Sequence, residues 1–313
     1  MSITRAKGPW TIILCSMLIL SFAPIAIAEE GGAISYPIGA ETVMPAYAPP
    51  PKVLVLQEFT LFYSASRFND SHGNSGIPGF RATIFANCVK FKYDWGVKFL
   101  GGNLMSAFAP VVLYEQVEAG GQSQTKTRLA NQNMSQFVVY NKRSLFWQYG
   151  VDVWTPGPSY KQSDMTNVGQ HYWEFEPTAA ITWLPNKGKT ELSTRVHYGL
   201  ATTNPDNHYH SGNTFVWEFN TTQNVTKRLA LGFQGYLLKQ VRDDTIHGVT
   251  VGDGNRSQAL GLGPQVRLAV GNGVLAFKYF RETEARYHPV GNGYWFEFGV
   301  PIGKFGPKEK PSN

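Results

Sequence analysis

Few side chains in this chain stand where their types and spacing could carry out chemistry. Asp206, His208 and His210 crowd a short stretch around Tyr209. Two imidazoles two residues apart share one face of a strand and could begin a metal site or an acid–base pair. No third ligand has matching spacing and the surroundings are polar, so the segment reads as a solvated loop. Asp253-Gly254-Asn255 and Asp243-Asp244 offer oxygen ligands for calcium, yet neither reproduces a complete ligand loop. Asn133-Met134-Ser135, Asn224-Val225-Thr226 and Asn255-Arg256-Ser257 match glycosylation sequons by pattern alone. Only Cys15 and Cys88 are present, so no disulfide framework or cysteine-based metal site is expected.

A different set of residues is more informative, because it recurs at every second position. Glu58, Lys90, Lys92, Asp152, Glu174, Glu176, Arg195, His197, Glu218, Gln234, Gln265, Arg267, Lys278 and Glu297 each interrupt a run whose alternate positions are apolar. Charges of both signs placed this way could line a watery path or pair with one another across a narrow interior.

The N-terminus decides which solvent these runs meet. Arg5 and Lys7 precede an apolar run from Trp10 to Phe22, which ends in Ala26-Ile27-Ala28 before Glu29. A basic start, an apolar stretch and a small-x-small site describe a cleaved secretory signal peptide over residues 1–28. Pro24 interrupts the run too early for a comfortable membrane span. Loss of Arg5 and Lys7 takes the net charge from +6 to +4, with no clustered basic stripe, so nucleic acid is not a partner.

Only 16% of the 313 residues are charged, 14% are aromatic, and 32 are glycine. Mean hydropathy is nevertheless negative, and no later stretch approaches the ~18 to 20 apolar residues of a membrane helix. Alternation resolves the conflict. Tyr294, Phe296, Phe298, Val300 and Ile302 oppose Glu297, Gly299 and Gly303. Leu192, Val196, Tyr198 and Leu200 oppose Ser193, Arg195 and His197, while Leu229, Leu231 and Phe233 oppose Ala230, Gly232 and Gln234. Phe59, Leu61 and Tyr63 oppose Glu58 and Thr60. About twelve such segments of roughly ten to fourteen residues have the length of tilted strands crossing a bilayer, longer than the about five or six of soluble sandwiches.

Long polar stretches (69–78, 156–170, 204–213 and 242–256) alternate with short turns such as Pro185-Asn186-Lys187-Gly188 and Gly271-Asn272-Gly273. In lipid every backbone polar group needs a partner within the protein, and a closed sheet supplies it. The expectation is therefore all-β: an antiparallel transmembrane β-barrel of about twelve strands over residues 52–305. Residues 29–51, with Pro45, Pro49, Pro50 and Pro51, read as a Pro-rich periplasmic lead-in, and residues 306–313 as a disordered tail. Trp95, Trp154, Trp183 and Trp295 read as interface girdle residues.

The sequence also resembles the meta-pathway phenol-degradation (MetA) family of Gram-negative outer-membrane proteins. The likeness rests on Tyr36-Pro37-x-Gly39-Ala40-Glu41 running into Pro49-Pro50-Pro51 and Leu61-x-Tyr63-x-Ala65. It continues with Ala259-Leu260-Gly261-x-Gly263-Pro264-Gln265, Lys278-Tyr279-x-x-Glu282, Arg286, and Gly291 to Trp295. The resemblance implies an outer-membrane barrel labelled a transporter, linked to uptake of aromatic or other hydrophobic compounds. It does not imply a phenol-degrading reaction. Many barrels end on an aromatic read by the barrel-assembly machinery; here eight residues follow Phe305, so that signal is displaced rather than absent.

If the aromatic faces meet lipid, the fourteen alternating polar residues face the lumen. A wall hydrolase would need a Ser–His pair facing lipid, and His197 falls on the polar face with no Ser motif beside it, so no enzyme is expected. The reading is passive passage of small, hydrophobic or aromatic solutes, without cofactor or metal. Its alternative is a non-conducting structural barrel whose long loops bind a partner.

Overall fold

Residue 30 and residues 34–305 are described by the computed structural model. The expected signal peptide (residues 1–28) and the expected disordered tail (306–313) lie outside the described residues. The strands are β1 (Val53–Phe68), β2 (Arg81–Phe99), β3 (Gly102–Ala109), β4 (Val111–Ala119), β5 (Gln122–Leu129), β6 (Asn133–Lys142), β7 (Leu145–Trp154), β8 (Glu174–Trp183) and β9 (Thr190–Ala201). They continue with β10 (Tyr209–His210), β11 (Thr214–Asn224), β12 (Leu229–Gln240), β13 (Thr245–Ile246), β14 (Val249–Thr250), β15 (Gln258–Val270), β16 (Gly273–Arg286) and β17 (Pro289–Lys304).

Antiparallel pairing runs from β2 round to β17, and β1 closes the ring by pairing with both β17 and β2. Twelve walls result, because two of them are each built from two strands. Pro110 lacks an N–H and separates β3 from β4, which share β2 as their neighbour. Residues 130–132 likewise separate β5 from β6, which continue one another. The β4–β5 hairpin stands proud of the ring, joined through Gly120 and Gly121, whose φ values of 58° and 80° suit a tight turn open to glycine.

Short turns gather at one end with both ends of the wall, and long loops gather at the other. At the turn end, Asn186 and Lys187 take φ values of 54° and 57° in the Pro185–Gly188 turn. At the loop end, β10, β13 and β14 form a small separate sheet over the mouth.

Alternation sorts the side chains as a pleated wall must. On β8, Glu174, Glu176, Thr178, Ala180 and Thr182 are buried, while Phe175, Ile181 and Trp183 are exposed. Phe85, Phe91, Trp217, Leu231, Phe233, Phe277, Tyr294 and Phe296 continue that exposed apolar belt around other strands. A contiguous belt of this extent is far larger than a water-soluble monomer shows, and it fits lipid.

β1 departs from the expected facing. Glu58 pairs with Phe298 and Val89, and Thr60 with Phe296, so Glu58 and Thr60 share the outer face. Phe59 pairs with Glu297 and Cys88 and is buried inside. Glu58 is therefore not a lumen residue. It bonds Thr60 and the Asn87 amide (2.7 Å) on the outer wall. Trp154 and Trp295 also differ from expectation: both are 4% exposed and point inward, whereas Trp95 and Trp183 lie on the outer face.

Candidate functional site: a strapped lumen

The largest departure from the sequence reading concerns residues 34–51, which do not hang outside the barrel. They run down its interior. Glu30 sits at the loop end, where Asn204 donates to it at 2.5 Å and Tyr160 and Asn207 also bond it. Ser35 N–H reaches Glu174 at 3.4 Å, and its hydroxyl reaches Gln170 at 3.3 Å. Further down, Met44 N–H donates to Glu191 at 2.8 Å and Ala46 N–H to Thr182 Oγ1 at 3.2 Å. Both acceptors lie next to the Pro185–Gly188 turn, so residues 34–46 traverse the lumen.

This path has a physical cause. Residues 34–51 have no period-two apolar pattern and carry five prolines (Pro37, Pro45, Pro49, Pro50 and Pro51), so they cannot join the ladder. Its backbone groups must then find side-chain partners, and the polar inner wall supplies them.

At mid-height the strap meets the main charge cluster. Tyr36 O–H donates to Glu218 Oε2 at 2.8 Å, and Gly39 N–H donates to Glu218 Oε1 at 2.7 Å. Arg195 lies 2.6 Å from Asp152, 3.7 Å from Glu218 and 3.6 Å from Glu41, with its guanidinium 4.7 Å from the Tyr36 ring centroid. Glu41 also pairs with Lys90. From β16, further round the same arc of wall, Lys278 donates to the carbonyls of Gly39 (2.6 Å) and Ala40 (2.9 Å) and to Thr42 Oγ1 (3.2 Å), while pairing with Glu297. Thr42 donates to Gln234 at 2.6 Å. Gly39 has φ +90°, and a Cβ there would stand 3.0 Å from the Phe280 ring. Close packing and backbone conformation both demand glycine.

Thirteen of the fourteen candidate residues thus face the interior, Glu58 being the exception. Lys90, Lys92, Asp152, Glu174, Glu176, Arg195, His197, Glu218, Gln234, Gln265, Lys278 and Glu297 are all buried. Arg267 is half-buried and pairs with Glu191. His197 lies 3.4 Å from Glu176. Gln265 binds Asn220 at 2.7 Å, away from the strap. The sequence reading missed Glu191 and Glu282, although both share a face and parity with residues it selected, Arg195 and Lys278. Tyr36 and Gly39 stood in the motif that carries the family resemblance without a lumen role being assigned to them, and Thr42 and Ala46 were missed, only the composition of a nearly uncharged stretch pointing to them.

The sequence-level histidine cluster separates. Asp206 pairs with His171 at 2.9 Å, and the His208 ring lies against His247 with centroids 4.3 Å apart. Among the described residues no group of three or more His, Cys, Asp or Glu side chains could hold a metal ion. At the loop end Lys126 and Gln124 bond Asp164, tying the β4–β5 hairpin to the 155–173 loop. Those hydrogen bonds, Lys126 foremost, hold the Asp164 carboxyl below its usual range.

The strap's bonds fall mostly on β8, β9, β11, β12 and β16. Toward β1, β2 and β6 the packing is looser, leaving a cavity of about 270 Å³ at the turn end. A smaller void of about 30 Å³ lies higher, beside Tyr36, Phe59, Cys88 and Trp154.

Comparison with solved structures places the fold among bacterial outer-membrane barrels. An outer-membrane channel from Pseudomonas putida F1 matches with a TM-score of 0.71 at 11% identity, covering 82% of this chain and 98% of that one. The transport unit of the autotransporter AIDA-I from Escherichia coli matches with a TM-score of 0.47 at 10% identity, covering 84% of this chain and 95% of that one. No curated protein matches the sequence. The family model described as "Putative MetA-pathway of phenol degradation" matches residues 65–298, and the chain belongs to that family.

Proposed function

We propose that this protein is an outer-membrane channel for small apolar or aromatic solutes, in which the N-terminal strap is a resident constriction. The carrying observation is the asymmetry of the strap's anchoring. Its hydrogen bonds concentrate on one side of the lumen, and the voids of about 270 and 30 Å³ line up along the other. Phe59, Phe137, Val43, Pro45 and Val274 contribute apolar surface to those voids. Mostly apolar walls with a few placed polar groups are the lining that small apolar solutes select. With short turns periplasmic and long loops outside, the larger cavity opens toward the periplasm and Glu30 sits at the outer mouth.

The family name and the printed description of the Pseudomonas barrel as a channel agree with this reading. The second reading, a sealed structural barrel, draws support from Arg195 and Glu218, which are at most 1% exposed and close mid-lumen in this state. Uptake of aromatic, fatty and sugar solutes by cells with and without the protein separates the two. The channel reading expects aromatic uptake to fall selectively when the protein is lost; unchanged uptake of all three classes would refute it.

A further inference from the structure

Among the described residues, five lysine and arginine side chains lie in the network around the strap, and four have a carboxylate partner. Lys90 pairs with Glu41, Arg195 with Asp152, Arg267 with Glu191 and Lys278 with Glu297. Lys92 is the exception. It is 7% exposed, and among the described residues no carboxylate lies within ion-pair distance of it. Its ammonium has one long contact, 3.5 Å to the Tyr47 carbonyl, and lies 5.8 Å from the Phe137 ring centroid. A buried ammonium with no carboxylate in direct contact is costly, so an anion arriving there meets a group already stripped of water.

A second buried group stands unfulfilled in the same cavity. Gln148 is 2% exposed, and its Oε1 has no hydrogen-bond partner. Turned either way, its amide can serve one end of a polar ligand. Lys92, Gln148 and Phe137 line the cavity of about 270 Å³ together with Val43, Pro45 and Val274. Glu41, Glu58 and Glu297 also line it, but Lys90 and Lys278 offset Glu41 and Glu297, and the Glu58 side chain turns to the outer wall, where it bonds Thr60 and Asn87. What remains is one positive charge at the end of an apolar recess.

We propose that this recess is a binding site for a small monocarboxylate with an apolar body, of the size of benzoate, whose carboxylate is received by Lys92 and Gln148. The assignment deepens the channel reading and rests on it. A bare inorganic anion would leave the apolar walls unfilled, and a neutral aromatic would leave Lys92 unpaired. Only a ligand with both parts answers both.

Calorimetric titration of the full-length protein in detergent, with benzoate and with benzyl alcohol, tests this. Benzoate is expected to bind at least tenfold more tightly than the neutral alcohol. Lys92→Met is expected to remove that preference and Lys92→Arg to retain it. Equal binding of the two probes by the unaltered protein, or undiminished benzoate binding by Lys92→Met, would overturn the proposal. Should Lys92→Met fail to fold, the two-probe comparison still decides, and Gln148→Leu is expected to weaken benzoate severalfold. Binding needs no conduction. Sealed bilayers with intact benzoate preference would refute the channel alone; conducting bilayers without the preference would refute this site alone.

Discussion

Glu218→Ala should loosen the strap without opening the wall. The Glu218 carboxylate is fully buried and accepts two strap donors, Tyr36 O–H at 2.8 Å and Gly39 N–H at 2.7 Å. It also faces Arg195 at 3.7 Å. Hydrogen bonds to a charged acceptor contribute about 1.5–3 kcal/mol each. Water entering the vacated polar space offsets part of the loss, so the lower end, about 3 kcal/mol for the pair, is appropriate. At about 1.4 kcal/mol per factor of ten, the population with a released strap rises roughly 100-fold. Ala46 is 0% exposed beneath the strap's lower anchor. A cysteine there, in a Cys88→Ala background, makes release visible as its labelling rate with a water-soluble maleimide. Glu218→Ala should speed labelling by about 100-fold, and Tyr36→Phe, which removes one bond, by about tenfold. Heat-modifiable migration on a gel checks that the barrel is intact. Labelling at the parent rate in Glu218→Ala, or immediate labelling in the parent, would refute the anchoring argument.

Lys278→Met strips donors from the Gly39 and Ala40 carbonyls and leaves Glu297 unpaired. It should accelerate the same labelling by a similar factor, and its combination with Glu218→Ala should fall short of the product, because both hold Gly39. Asp164 provides a pH test. Its carboxyl, held low by Lys126 and Gln124, steadies the 155–173 loop above the unfolded pKa of about 3.9 and loses that contribution as pH falls through the docked value. A spin label at Ser163 should be immobile at neutral pH and gain mobility as acidification protonates Asp164, and Asp164→Asn should be mobile already at neutral pH; equal mobility throughout would contradict this. Glu58 lies midway along the outer face of β1, between Leu54 and Phe62, where a carboxylate faces hydrocarbon. Glu58→Leu should raise barrel stability by about 1–2 kcal/mol in a denaturant series; a loss would mean the Thr60 and Asn87 bonds outweigh the lipid penalty.

The wall was legible because one rule, alternation over bilayer length, governs most of its strands, and residues such as Phe175, Trp217 and Phe296 obey it. It failed on β1, where both faces carry apolar and polar residues. Phe59 is apolar yet points inward, because Phe280, Trp295 and Ala40 give it an apolar surface to meet inside. Trp154 is drawn inward in the same way, donating to Glu176 at 3.0 Å and packing against Tyr36. An interior strap makes the lumen partly apolar, and the sequence carries no local mark of where a non-strand segment docks. Parity alone would have extended the lumen set to Glu191 and Glu282. No local pattern distinguishes Lys92, which has no carboxylate in contact, from Lys90, which has one; that difference comes from where Glu41 lies on the strap.

If residues 34–46 constrict an otherwise passable barrel, single-channel recording in planar bilayers shows it directly. The full-length protein should give small conductance events, and a chain lacking residues 34–46, with heat-modifiable migration retained, should give events severalfold larger. Identical traces from the two proteins, whether sealed or conducting, would contradict it.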